Sequence, residues 1–150
     1  MNREILFRGK RVDNGEWKYG AYIKATRHWH KHGIHEDWIC SSVIQNGGYL
    51  NLVGRCPVKA ETVGQYIGLT DKNGEKIFEH DFCRFREWSK GEMCWIGKVC
   101  YEHQQFIICG GPNKECEGPF LLVMSRFCPA NIEVIGNIHD NPELLEKEKE

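Results

Sequence analysis

Apolar and polar positions alternate in short runs along much of the chain, and turn residues interrupt them about every ten positions. Successive side chains of a strand point to opposite faces, so this period of two predicts strands. The first run is Glu4 to Gly9. After a turn at Asp13-Asn14-Gly15, Glu16 to Lys24 alternates Trp17, Tyr19, Ala21 and Ile23 on one face. Asn-Gly favours the positive backbone angles of a tight hairpin, so the two runs are expected to pair. Residues Ala25 to Ser42 show no clear period and read as a long loop or excursion. Val43-Ile44 and Tyr49 to Val53 flank Asn46-Gly47-Gly48, which predicts a second hairpin.

Pro57 then breaks the pattern. Glu61 to Leu69 is extended, and Asp71-Lys72-Asn73-Gly74 forms a turn. Further strands are expected at Asp81 to Trp88, Met93 to Tyr101, Gln105 to Cys109, Phe120 to Arg126 and Ile132 to Ile138. Lys90-Gly91 turns between the first two of these, and Gly110 to Pro119 forms a loop. Five short strands joined this way suit a small SH3-like barrel. Near the end, Asn141 is a good N-cap, Pro142 suits the first helical position and Glu143 favours the positive end of a helix. The expected class is therefore mainly β: one domain over 1–150, with an N-terminal hairpin region at about 1–60, an SH3-like barrel at about 61–140 and a short C-terminal helix at 141–150.

Composition narrows the function classes. Twenty basic and 21 acidic residues give a net charge of −1, so whole-protein electrostatics supplies no general attraction to nucleic acid or an anionic membrane. Arg8, Lys10 and Arg11 form one local basic candidate, of the kind usually found as a solvated surface. No apolar run approaches the ~20 residues of a membrane helix. The N-terminus MNREILFRGK carries charges where a signal peptide has an apolar stretch. The expectation is a cytoplasmic protein of a bacterial host, without membrane contact. Eight Cys (40, 56, 83, 94, 100, 109, 116 and 128) would suit disulfides in a secreted chain. In a reducing cytoplasm they are expected to stay free, several of them as small buried hydrophobes.

Two groups of residues carry candidate chemistry. His28, His30 and His32 alternate, so a strand would set them on one side, and His35, Glu36 and Asp37 add further donors. Zinc needs about four ligands, or three and a water. Linear His clusters without a paired Cys or His motif are more often solvated loops, and the closely spaced Cys pairs of zinc modules are absent. The expectation is therefore no cofactor, with zinc entering only through His28, His30, His32 and His35. The second group is Trp29, Trp38, Trp88 and Trp95. Aromatics of this kind anchor protein interfaces or stack on bases, and the plainer alternative is that they fill a small core. No nucleophile elbow, phosphate-binding loop or dinucleotide fingerprint is present.

Three segments then bear on kinship. The first is Phe7-Arg8-Gly9-Lys10 with Asp13-Asn14-Gly15-Glu16-Trp17 and Tyr19-Gly20. The second is Thr62-Val63-Gly64-Gln65-Tyr66-Ile67-Gly68-Leu69, running through Asp71-Lys72-Asn73-Gly74 to Ile77-Phe78-Glu79 and Asp81. The third is Glu133-Val134-Ile135-Gly136-Asn137-Ile138 with Asn141-Pro142-Glu143-Leu144-Leu145. Together, and in this order, they resemble the YopX family of phage and prophage proteins. Where that family has Glu-Gly-Asp, this chain has Glu79-His80-Asp81, and a glycine there would suit a positive backbone angle. The resemblance implies a β-rich fold and a phage or prophage origin. It brings no reaction, so no catalytic residue is carried over.

Three readings of function stay open on the sequence. The first is a noncatalytic accessory protein that binds a host or phage protein. The second is a nucleic-acid-binding barrel, and the third a metal-dependent enzyme using the His-rich segment. Short strand edges also leave a homo-oligomer open.

Overall fold

The computed structural model describes residues 4–27, 34–87, 93–110, 116–119 and 132–144. Nearly all regular structure among them is strand. In chain order the strands are β1 (Phe7–Lys10), β2 (Trp17–Arg27), β3 (Ile34–Cys40), β4 (Ser42–Asn46), β5 (Tyr49–Val53), β6 (Cys56–Pro57) and β7 (Gly64–Thr70). They continue with β8 (Lys76–Phe78), β9 (Asp81–Glu87), β10 (Met93–Glu102), β11 (Gln105–Cys109), β12 (Cys116–Pro119) and β13 (Ile132–Asn137). A single 3-10 turn, Ala60–Thr62, precedes β7. The chain forms two compact units, Met1–Tyr66 and Ile67–Glu150.

In the first unit the strand order is β6-β3-β2-β1-β7, and among the described residues β4 and β5 pair only with each other. The Asn14-Gly15 hairpin is as expected: β1 and β2 pair antiparallel from Phe7↔Gly20 to Lys10↔Trp17, with Gly15 at φ +73°. The loop expected over Ala25 to Ser42 is instead largely strand, because β2 runs on to Arg27 and pairs with β3 from Ala21↔Cys40 to Arg27↔Ile34. The alternation was hidden because consecutive residues Ile39 and Cys40 are both fully buried, so both faces of β3 are covered at that end. Val58, Cys56 and Tyr66 complete this core. Thr62 fastens the chain end of β1: its hydroxyl accepts from Lys10 N at 2.8 Å and donates to Lys59 O at 2.7 Å.

In the second unit the strand order is β12-β11-β10-β9-β13, with β8 beside the end of β7. These sheets are open. The SH3-like barrel expected at about 61–140 is replaced by an open sheet whose edges are β12 and β13 among the described residues. Closure needs a stagger that brings first and last strands together, and alternation along a sequence reports faces, not stagger. Cys116–Pro119, read as loop, is the edge strand β12. The strand expected at Phe120 to Arg126 lies outside the described residues. So do residues 145–150 of the segment expected as a C-terminal helix; its described start is a turn in which Leu144 N donates to Asn141 O at 3.1 Å.

One face of the five-stranded sheet carries Cys83, Phe85, Trp95, Val99, Ile108 and Ile132, all buried, with Ile67 and Ile77 packed among them. Registers Phe85↔Trp95, Val99↔Ile108 and Ile132↔Phe85 set these side chains against one another across four strands. Gly97 belongs to the same face. A Cβ there would collide with Ile108 and lie 2.8 Å from the Trp95 ring, so glycine lets β10 approach them closely. The expected turn at Asp71 is present, closed by Gly74 N to Asp71 O at 3.0 Å. Its carboxylate is buried and does more than turn the chain. Oδ1 accepts from Asn73 N at 2.7 Å and Glu75 N at 2.9 Å, and Oδ2 accepts from Val134 N on β13 at 3.1 Å.

Candidate functional site

Of the four tryptophans singled out by sequence, Trp29 and Trp88 lie outside the described residues. Trp95 is 9% exposed and stacks on Phe85 with ring centroids 4.2 Å apart; it is a core residue and presents no open face. Trp38 is half-buried on β3. Its Nε1 donates to Glu36 Oε2 at 3.2 Å, and the Arg55 guanidinium lies 5.4 Å from its ring centroid. His28, His30 and His32 also lie outside the described residues, and His35 occupies β3 as the register partner of Thr26.

The basic candidate near the N-terminus is consumed locally. Arg8 is buried with its guanidinium 4.6 Å from the Trp17 ring centroid, and Lys10 Nζ is 5.5 Å from the same ring. Arg11 makes two hydrogen bonds to Asp13, at 2.9 and 2.6 Å. That pairing holds the Asp13 carboxyl below its ordinary range and raises the guanidinium above its own. Cations engaged with a ring or a carboxylate make a poor phosphate track.

Among the described residues, the β4–β5 hairpin brings together three of the exposed large apolar side chains. Its register runs from Ser42↔Val53 through Val43↔Leu52 and Ile44↔Asn51 to Asn46↔Tyr49. Directly opposed residues share a face, so Val43 and Leu52 lie on one face, and Ile44 and Val53 on the other. Val43 is 44% exposed, Ile44 51% and Val53 43%. No third strand flanks the pair among the described residues. A free two-stranded hairpin is marginal in water, and its unpaired edges are templates for another strand. Sequence reasoning found this hairpin through Asn46-Gly47-Gly48, but alternation alone could not tell that Val43, Ile44 and Val53 stay exposed.

Two clusters of ionisable groups stand in the second unit. At the turn between β8 and β9, His80 adopts φ +73°, the left-handed conformation for which glycine would be the easy choice. His80 N donates to Val99 O at 2.9 Å and its carbonyl accepts from Ile138 N at 3.1 Å. Its ring meets His139 edge-on, Nδ1 lying 3.4 Å from His139 Nε2, and its own Nε2 is 3.7 Å from Glu79 Oε1. The departure from Glu-Gly-Asp pointed to this turn.

The second cluster is on the β10–β11 hairpin. Cys100, Glu102 and Cys109 bring their Sγ and carboxylate oxygen atoms within 4.8 Å of one another, Cys100 being buried, Cys109 half-buried and Glu102 exposed. Burial pushes the Cys100 thiol up, while a hydrogen bond with Cys109 and the charge of Lys98 pull it the other way. These are donors a metal ion can use. A search for cysteines two to four residues apart misses them, because they converge from two strands: Cys100 is opposite Ile107 and Cys109 opposite Lys98. In the first unit, Tyr22 Oη donates to Asp37 Oδ1, and burial together with this acceptor pushes the phenol up to about 12. No helix among the described residues is long and apolar enough to cross a membrane.

No curated protein matches the chain. Among solved structures it is similar to the crystal structure of protein EF1440 from Enterococcus faecalis. The TM-score is 0.56 at 20% identity, covering 96% of this chain and 99% of that one; at that identity the likeness concerns the fold. The family model described as YopX protein matches residues 6–146. That span takes in all three segments on which the resemblance rested, and the chain belongs to the YopX protein family.

Proposed function

We propose that this protein is a noncatalytic accessory protein of phage or prophage origin that acts in the bacterial cytoplasm by binding a host or phage protein through the β4–β5 hairpin. The observation that carries this reading is the hairpin's exposure: Val43, Ile44 and Val53 face solvent on a two-stranded sheet with no flanking strand among the described residues. A partner strand added to one edge would satisfy free backbone groups, and the apolar side chains would supply affinity. The engagement of Arg8, Lys10 and Arg11 with Trp17 and Asp13 favours a protein over a nucleic acid.

The test is affinity capture from a bacterial lysate with the native chain and an Ile44→Ser/Val53→Ser variant, each with and without nuclease. The expected result is a near-stoichiometric protein that resists nuclease and is lost with the variant. Capture that depends on nucleic acid overturns the protein reading. Capture unaffected by the variant overturns the hairpin as its surface. Light scattering on the same samples identifies the case in which the partner is a second copy of the chain.

A further inference from the structure

We propose that Cys100, Cys109 and Glu102 form a binding site for a thiophilic divalent cation, with zinc as the natural occupant. The proposal is independent of the binding-module reading. In a tetrahedral site with Zn–S bonds of about 2.3 Å, neighbouring sulfurs are separated by roughly 3.8 Å. The three donor atoms already lie within 4.8 Å of one another, so metal binding needs adjustments of side chains on a paired hairpin and no rearrangement of backbone. The β10–β11 ladder holds both cysteines in fixed register, from Lys98↔Cys109 to Glu102↔Gln105. Two thiols and a carboxylate make three ligands. A zinc site of three protein ligands takes a water or a further group in its fourth position.

The chemistry of this set is selective. Thiolates prefer zinc and other soft or borderline ions over magnesium and calcium. Two thiolates and a carboxylate around a divalent ion leave a net charge of about −1, which Lys98, opposite Cys109, offsets. The ligands come from positions 100, 102 and 109, a spacing set by a two-stranded hairpin and not by a knuckle.

The test uses the full-length, tag-free chain, reduced and stripped of metal, then titrated with cobalt(II) in place of zinc. The expected result is one ion per chain, with a thiolate-to-cobalt charge-transfer band and tetrahedral d–d bands that zinc displaces. Cys100→Ser and Cys109→Ser each abolish the charge-transfer band. A combined His28→Ala/His30→Ala/His32→Ala variant leaves it unchanged. Glu102 is exposed, so Glu102→Gln gives a folded probe even where a cysteine variant misfolds. It shifts the d–d bands and weakens binding about tenfold or more, the size seen even for groups that merely support metal ligands. Reduced protein that shows no charge-transfer band overturns the proposal. So does a band that survives Cys100→Ser or ignores Glu102→Gln.

Discussion

The β10–β11 and β4–β5 hairpins both carry β-branched apolar residues, yet among the described side chains only the first buries an opposed pair of them. On β10–β11, Val99 and Ile108 are opposed and fully buried, and β9 and β12 flank the pair. On β4–β5, Ile44 and Val53 are about half exposed and no strand flanks them among the described residues. Strand propensity is equal in the two places. What differs is the third neighbour, which turns a marginal hairpin into part of a core. The first hairpin is therefore expected to determine stability, and the second to be available for binding.

The largest effect should come from the buried hairpin. Ile108→Ala removes a side chain packed in the core of the second unit and should cost about 2–5 kcal/mol in urea unfolding. A loss below about 1 kcal/mol would mean that β10–β11 is no better covered than β4–β5. Next comes Asp71→Ala. It leaves Asn73 N, Glu75 N and Val134 N without their carboxylate acceptor, at a cost of about 1–3 kcal/mol for groups this poorly hydrated. Asp71→Asn should lose less, because Oδ1 still accepts from Asn73 N and Glu75 N while only the Oδ2 bond to Val134 N is lost; equal losses would show that the bond to β13 carries the contribution.

A smaller effect of opposite sign is expected at the turn that leads into the same sheet. His80 holds a left-handed conformation that costs a residue with a Cβ about 1–2 kcal/mol. His80→Gly relieves that cost and adds about 0.5–1 kcal/mol of chain entropy to be lost on folding. The net expectation is a gain of about 0.5 kcal/mol, read in the same urea series. A loss instead would show that the ring contact with His139 and the pairing with Glu79 outweigh the strain.

In the first unit, Tyr22 and Asp37 brace the β2–β3 ladder, and their contribution depends on pH. The phenol is raised from its ordinary value near 10 to about 12 by burial and by its bond to Asp37. The folded state favours the neutral hydroxyl, so the contribution is complete below pH 10 and is lost between about 10 and 12. A spectroscopic titration of tyrosinate should show one late-titrating phenol that Tyr22→Phe removes. If every tyrosine titrates near 10, the brace is open to solvent and the first unit is looser throughout, not only at β4–β5.

What the sequence made legible follows from which physical signals are local. The Asn14-Gly15 and Asn46-Gly47-Gly48 turns, the Asp71 turn and the runs at β9, β10 and β11 were readable, because turn chemistry and alternation act over a few residues. β3 was not, since Ile39 and Cys40 are both buried and erase the alternation. The open sheet was not, because stagger is a property of pairs of strands. Trp95 was offered as a binding residue and is core, because its burial depends on Phe85 from another strand. The Cys100, Glu102 and Cys109 cluster stayed hidden for the same reason: its members meet only once β10 and β11 pair.

The smallest stability effect is expected where the comparison is most informative. Ile44 is half exposed on β4, opposite Asn51. Ile44→Thr keeps the β-branched shape and strand preference while removing apolar surface that the folded chain does not cover. The change in unfolding free energy should stay within about 0.5 kcal/mol, as for surface positions without a special role. In the same protein, affinity for the captured partner should fall by about tenfold or more, as for an apolar anchor buried on binding. Stability and binding would then separate at this hairpin. A loss of stability as large as that of Ile108→Ala, with binding intact, would instead place Ile44 in a packed interior and give both hairpins the same role.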